Sequence, residues 1–225
     1  LLANRGGISY VTQLPLRFPL KQQFTMSRFY IGKNAELIGH LREGGNIWMY
    51  SEDATGKTHL LQAFCQEANA VFLPADRMSD SRLDLTGYEM FPLLLIDDVD
   101  RWFGQVDLEE KFLALFEAVQ QQSGRIIVAT SKGSPVRQRF LLRDLASRLR
   151  SFHCFEVMPL SGVDYRSLLL EKASARGLLI DVDVVDYLLS RMNRSHRTLI
   201  DVLEKIDRES LAQHREVTIP FVRQV

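Results

Sequence analysis

Residues 47–58, IWMYSEDATGKT, constrain this chain more than any other stretch. Ile47, Trp48, Met49 and Tyr50 form a short apolar run that predicts a buried strand. Ser51 to Gly56 is rich in small and turn-forming residues, and Lys57-Thr58 opens an apolar-periodic run, HLLQAFCQEA, that predicts a helix. A strand, a small-residue loop, Gly-Lys-Thr and a helix N-terminus together make a phosphate cradle. Its backbone N–H groups converge on one point, and the helix end adds positive partial charge. The candidate nucleotide-contacting residues of the stretch are Ser51, Asp53, Ala54, Thr55, Gly56, Lys57, Thr58 and His59. Lys57 is placed to reach the β- and γ-phosphates and the Thr58 hydroxyl to ligate Mg²⁺. The strict spacing GxxxxGK[ST] has Gly at its first position, and this chain has Ser51 there. The alternative is an ordinary strand-turn-helix with an exposed lysine.

A second stretch strengthens the phosphate reading. Pro92 precedes LLLIDD at 93–98, a continuous apolar run of the kind found in strands buried on both faces. Its two carboxylates stand at the strand's C-terminal end, where parallel α/β sheets place their ligand crevice. Asp97 is the candidate Mg²⁺ holder, acting through water. For Asp98 the family resemblance given below implies a water-orienting role, with a side chain one methylene shorter than the glutamate usual there, so hydrolysis by this chain alone is expected to be slow or conditional.

Composition bounds what else the chain can be. Its 225 residues suit one α/β domain with a smaller second one, and 46% hydrophobic content supports a real core. Lys+Arg and Asp+Glu are 28 each, and this neutrality argues against a chain whose whole surface grips DNA while leaving room for a local patch. Cys65 and Cys154 are far apart in apolar runs and are expected to be reduced thiols of a cytoplasmic protein. The 5 His form no ligand-spaced cluster, and neither a membrane-spanning run nor a signal peptide is visible. The chain does not begin with Met, as expected of a trimmed or engineered start.

Residues 1–24 are expected to form a flexible lead. Pro15 and Pro19 forbid a helix there and favour extended backbone. Gln13, Leu14, Leu16 and Phe18 make an apolar pattern with no long element of its own, suited to a pocket on another protein. QLPLRF at 13–18 resembles the QLxLF-type peptide that docks on the bacterial β sliding clamp. The alternative is packing of this segment on its own domain. A helix is expected from Asn34 to Glu43, strands at 70–74 and 126–130, an amphipathic helix over 108–122 and a last strand over 152–158. Thr130 and Ser131 stand at the end of the strand at 126–130, where the family resemblance given below implies a polar sensor. Pro159 then opens a helical region. Ser161-Gly162-Val163-Asp164 reads as a capping box for a helix to about Ala175. Further helices are expected from Asp181 to Met192 and from Ser195 onward, ending in the short apolar TIPFV.

Six segments together resemble one family: QLPLRF at 13–18, SEDATGKT at 51–58, LLLIDD at 93–98, DLASRL at 144–149, HRTL at 196–199 and TIPFV at 218–222. The chain resembles the AAA+ domain of DnaA replication initiators and, more closely, the Hda group of DnaA-homologous regulators. The resemblance spans nearly the whole chain. It implies an α/β fold with an AAA+ P-loop parallel-sheet core over 25–158 and a C-terminal three-helix lid over 159–225. It implies ADP or ATP with Mg²⁺ as cofactors, with the adenine edge against Tyr30 and Ile31. Arg148 looks like the arginine finger that enters a neighbour's ATP site, and Arg197 like the sensor-2 arginine of the lid. An exposed Arg148 pairing with Asp144 four residues earlier is the alternative for the first, and a solvated helix-terminal arginine for the second. Two departures stand out. Ser51 replaces a glycine, and Lys132 stands where DnaA relatives tend to have an acidic residue.

DnaA continues past its lid into a DNA-binding domain, and this chain stops. The expected function is therefore that of a regulator that binds nucleotide and clamp and promotes hydrolysis of DnaA-bound ATP, preventing re-initiation. Its expected partners are DnaA, the clamp, DNA reached indirectly through the clamp, and further copies of itself in an oligomer, with no membrane. The alternatives are a stand-alone AAA+ ATPase of the helicase-loader or initiator type and a scaffold with a decayed nucleotide site.

Overall fold

A computed structural model describes residues 15–51, 55–78, 83–130, 133–191 and 196–225, without the side chains of 196–198. The chain divides into two compact units, Leu1–Met158 and Pro159–Val225.

The first unit is built on five parallel strands: β1 (Ile47–Tyr50), β2 (Val71–Pro74), β3 (Leu93–Asp97), β4 (Arg125–Thr130) and β5 (His153–Glu156). Their order across the sheet is β2-β3-β4-β1-β5. The apolar runs read from the sequence are the inner strands. Ile47, Trp48, Met49, Leu94, Leu95, Ile96, Ile127 and Val128 are all fully buried, because helices cover both faces. Helices α1 (Ala35–Glu43), α2 (Lys57–Glu67), α3 (Val106–Gln121) and α4 (Arg143–Arg150) supply those layers. One core, around Trp48, Trp102, Phe112 and Val128, lies on one face. The other, around Leu37, Leu60, Leu61 and Ile127, lies on the opposite face.

β1 and β3 are not neighbours. β4 lies between them, with Trp48 level with Val128 and Ile96 level with Val128 on the other side. The loop after β1, the carboxylates after β3 and Thr130 at the end of β4 therefore converge at the same edge of the sheet.

The expected free lead through residue 24 is attached to the domain from Pro15 onward. Phe18 is half-buried and packs against both cores. The Tyr88 hydroxyl donates to the Leu16 carbonyl at 2.7 Å, and the Arg17 guanidinium lies 5.0 Å from the Phe91 ring centre. Lys21 N–H donates to Gln62 Oε1, and Gln66 Nε2 donates to the Lys21 and Phe24 carbonyls. Two prolines make the segment extended, and Gln62 and Gln66 of α2 together with Tyr88 and Phe91 hold it. Gln13 and Leu14 lie outside the described residues.

The second unit contains α5 (Gly162–Ala175), α6 (Val182–Arg191) and α7 (His196–Gln213), with a short α8 (Ile219–Val222) where the sequence suggests only an apolar end. The capping box at Ser161 is formed. Its hydroxyl accepts from Asp164 N–H, while Ser161 N–H donates to Asp164 at 2.7 Å. Arg166 pairs with Asp186 and Arg176 with Glu204, tying α5 to α6 and α7. Among the described residues, no helix is long and apolar enough to cross a membrane.

Candidate functional site

Gly56 adopts φ 92, a left-handed conformation that a side chain would strain, and this turn starts α2 at Lys57. A Cβ at Gly56 would stand 3.3 Å from the Phe29 ring. The turn is thus both conformationally and sterically reserved for glycine. The Lys57 ammonium donates to the Ser51 carbonyl at 2.9 Å and to Ser51 Oγ at 2.5 Å. Ser51 Oγ also lies 2.6 Å from Thr55 Oγ1, and Ser51 N–H reaches the Thr130 carbonyl at 3.4 Å. Ser51 is therefore the residue that closes the loop. A glycine there would lack the hydroxyl that meets both Thr55 and Lys57. Asp53 and Ala54 lie outside the described residues.

Across the crevice Asp97 is buried, and Thr58 donates a side-chain hydrogen bond to its carboxyl. Burial pushes the Asp97 carboxyl up to about 6, helped by the neighbouring Asp98 charge, while the Thr58 hydrogen bond and Lys57 pull the other way. Asp98 turns the chain with φ 51, a left-handed position that aspartate tolerates, and so re-aims the backbone from β3 into the 3-10 turn Val99–Arg101. Its carboxyl is also raised, first by burial and then by Asp100 and Asp76; Arg101 and Lys57 oppose this.

Four carboxylates, Asp76, Asp97, Asp98 and Asp100, thus crowd the ends of β2 and β3. Such crowding favours a cation. A hydroxyl and a carboxylate are hard oxygen donors, the set Mg²⁺ uses when phosphates and waters complete its shell. Thr58 and Asp97 fit that role. Among the described residues no cluster of three or more His, Cys, Asp or Glu could hold a metal without such help.

Three residues that sequence reasoning passed over shape this site. Asp100 accepts from Thr130 Oγ1 at 2.8 Å, deep in the core, and so locks the end of β4 to the turn after β3. Its signal was present in the run DDVD. This leaves the Thr130 hydroxyl committed to Asp100, while Ser131 and Lys132 lie outside the described residues. Asn34 is buried. Its side chain donates to the Ile31 and Met158 carbonyls and accepts from Met158 N–H, pinning the Tyr30-Ile31 segment to the chain after β5. No sequence signal announces this, since the partner is 124 positions away. Glu109, fully buried in α3, accepts from the N–H groups of Gly104, Leu141 and Leu142. It therefore holds the start of α4.

The other expected residues fall as follows. Tyr30 is half-buried and Ile31 is exposed at its edge. The His59 ring turns to the N-terminal segment, stacking on Phe24 at 4.7 Å with Nε2 3.0 Å from the Thr25 carbonyl. Burial lowers its pKa. Only its backbone is left to face the loop. Arg148 is 57% exposed on α4 and approaches Glu117 of α3 at 4.0 Å, so Asp144 is not the ion-pair partner found. Arg197 lies in the first turn of α7, and its side chain is outside the described residues.

Residues 163–225 match the family described as Hda, lid domain. Among solved structures, the chain is similar to replication initiator DnaA bound to AMPPCP and single-stranded DNA. There the TM-score is 0.72 at 23% identity, over 87% of this chain and 69% of that one. It is also similar to AMPPCP-bound DnaA from Aquifex aeolicus (TM-score 0.69, 24% identity, 86% and 67% covered). Domain III of Thermotoga maritima DnaA matches over 91% of this chain and 96% of that one, with TM-score 0.68 and 17% identity. A five-stranded parallel sheet of this order and these likenesses give the chain an α/β AAA+ fold like that of DnaA, with a second unit similar to the Hda lid domain.

Proposed function

We propose that this chain is a regulatory AAA+ protein that binds an adenine nucleotide in its own crevice and acts on the ATP held by a DnaA-type initiator. The observation that carries this reading is the placement of Arg148. Its guanidinium is more than half exposed on α4, and its ion pair with Glu117 is long and solvated. A contact of that kind contributes little and is readily exchanged. Such a guanidinium is free to enter a neighbour's phosphate site, where it would offset charge developing on the γ-phosphoryl group. Water attacks that phosphorus, the bond to the β-phosphate oxygen breaks, and ADP and phosphate leave. The arginine is not consumed. A finger supplied in trans accelerates such reactions by roughly 10³–10⁵.

The nucleotide of this chain would lie over α2. Lys57 would exchange Ser51 for the β- and γ-phosphates, and Thr58 and Asp97 would hold Mg²⁺. The DnaA relatives bound to AMPPCP support an adenine nucleotide. Residues 13–18 would dock on the sliding clamp, delivering the chain to DNA. Leu16 is 66% exposed and ready for such a pocket, whereas Phe18 would have to leave its place against the core.

The test is to incubate DnaA-ATP with this protein and DNA-loaded clamp and follow ADP formation. Arg148→Ala should abolish the stimulated rate while nucleotide binding persists; an unchanged rate sinks the proposal. A stand-alone ATPase is the second reading, favoured by the Thr58–Asp97 hydrogen bond beside Lys57. Steady turnover by the isolated protein, lost in Lys57→Ala, would select it instead.

A further inference from the structure

The neutral total charge conceals a strongly basic segment. Between residues 137 and 150 there are five arginines, Arg137, Arg139, Arg143, Arg148 and Arg150, against Asp144 alone. Three of them, Arg139, Arg143 and Arg150, line a cleft of about 520 Å³ together with Gln138, Phe140 and Ala146. All three arginines are exposed, and no ion pair or hydrogen bond joins their guanidinium groups to the described residues. The cleft's polar and apolar parts are rigidly set. Gln138 Nε2 donates to the Gly133 carbonyl, and the Phe140 ring packs edge-on against Phe103 at 4.6 Å. Glu109 anchors the start of α4 from beneath.

We propose that this cleft binds the sugar-phosphate backbone of double-stranded DNA directly. Arg143, Ala146 and Arg150 fall on one face of α4, three and four residues apart, so the two arginines stand about 10 Å apart along the axis. Arg139 extends the row beyond the helix start. Three guanidinium groups along a groove match a run of phosphates, each of which a guanidinium grips with two parallel hydrogen bonds. A groove without any acidic lining residue suits a polyanion. Duplex is favoured over single strand because the one aromatic lining residue, Phe140, is already packed on Phe103 and offers no open face for base stacking. Arg148 lies well over a quarter turn from Arg143 around the helix, so a DNA contact in the cleft leaves the finger free. The inference goes beyond the function proposed above and needs neither the clamp nor Arg148.

The test is fluorescence anisotropy of a labelled duplex titrated with the full chain, without clamp or DnaA, from 50 to 200 mM salt. Three phosphate contacts predict a slope of log K against log salt of roughly −2 to −3, a loss of about 40-fold across that range. The combined variant Arg139→Ala, Arg143→Ala and Arg150→Ala should bind at least about tenfold more weakly at 50 mM salt and flatten the slope, with an unchanged melting curve. Should that variant fold poorly, each single substitution should still reduce the slope by about one. Absence of duplex binding by the unsubstituted chain at 50 mM salt overturns the proposal, as do variants with an unchanged slope. Tighter binding of poly-glutamate than of duplex, through the same three arginines, also overturns it and points to an acidic protein partner.

Discussion

Asp97 carries an energetic cost of a kind that a bound cation would offset. Its carboxyl ordinarily titrates at 3.8 and is pushed up to about 6, chiefly by burial. The folded state therefore holds this proton over a pH range in which the unfolded chain has released it. Stability falls as pH rises through that window, from near 4 to about 6, and the penalty is fully present above it. At neutral pH the ionised group costs about 3 kcal/mol in the metal-free protein. Asp97→Asn should accordingly raise stability at pH 7 in EDTA by up to about that amount, with the two proteins converging below about pH 4. Urea melts at both pH values check this. The same substitution should remove the effect of Mg²⁺ on nucleotide affinity, measured by calorimetry with and without the metal. Loss of that effect separates a metal holder from a merely misfitting buried acid.

Among the helices, α4 is the one whose placement matters most, and its anchor is remote in sequence. The two N–H groups that lead into it, those of Leu141 and Leu142, donate to Glu109 of α3 and fix where the helix starts. Glu109→Ala leaves the part-buried N–H groups of Gly104, Leu141 and Leu142 without this acceptor and should cost about 1–3 kcal/mol in chemical denaturation. Glu109→Gln keeps one acceptor oxygen and should recover part of that loss. The extended segment 15–24 offers a second contrast. Leu16 is largely exposed, while Phe18 packs on both cores. Leu16→Ala should weaken capture by immobilised clamp and leave the melting temperature unchanged. Phe18→Ala should weaken capture and also lower the melting temperature, with a stability loss of about 1–3 kcal/mol because the ring is only half-buried. Equal clamp capture by the Leu16 variant would remove residues 13–18 from the clamp reading.

For the molecule as a whole, a ligand that binds only the folded state stabilises it by mass action. ADP at about 100 times its dissociation constant should add about 2.7 kcal/mol, a rise of about 5–10 °C in the melting of the first unit. Lys57→Ala should abolish that rise, as followed by differential scanning calorimetry. A rise that persists in the variant would mean that ADP binds elsewhere.

The strands and the glycine turn that opens α2 were legible in the chain because their signals are local. A run buried on both faces is apolar throughout, and a glycine that must adopt positive φ is followed at once by the lysine and threonine that need it. The family resemblance added roles for Arg148 and Arg197 that spacing alone could not assign. Contacts between distant positions were not legible. Asn34 meets Met158, Glu109 meets Leu141 and Leu142, and Phe18 finds both cores, and in each case the partner is chosen by how the sheet is ordered. The same holds for charge. The arginines over 137–150 stand close together in the sequence, but which three of them line one cleft is decided only when the turn before α4 folds beside the helix. Local backbone chemistry and burial pattern set which elements form. Their packing alone set which side chains are held, which stay exposed, and where three arginines share one cleft.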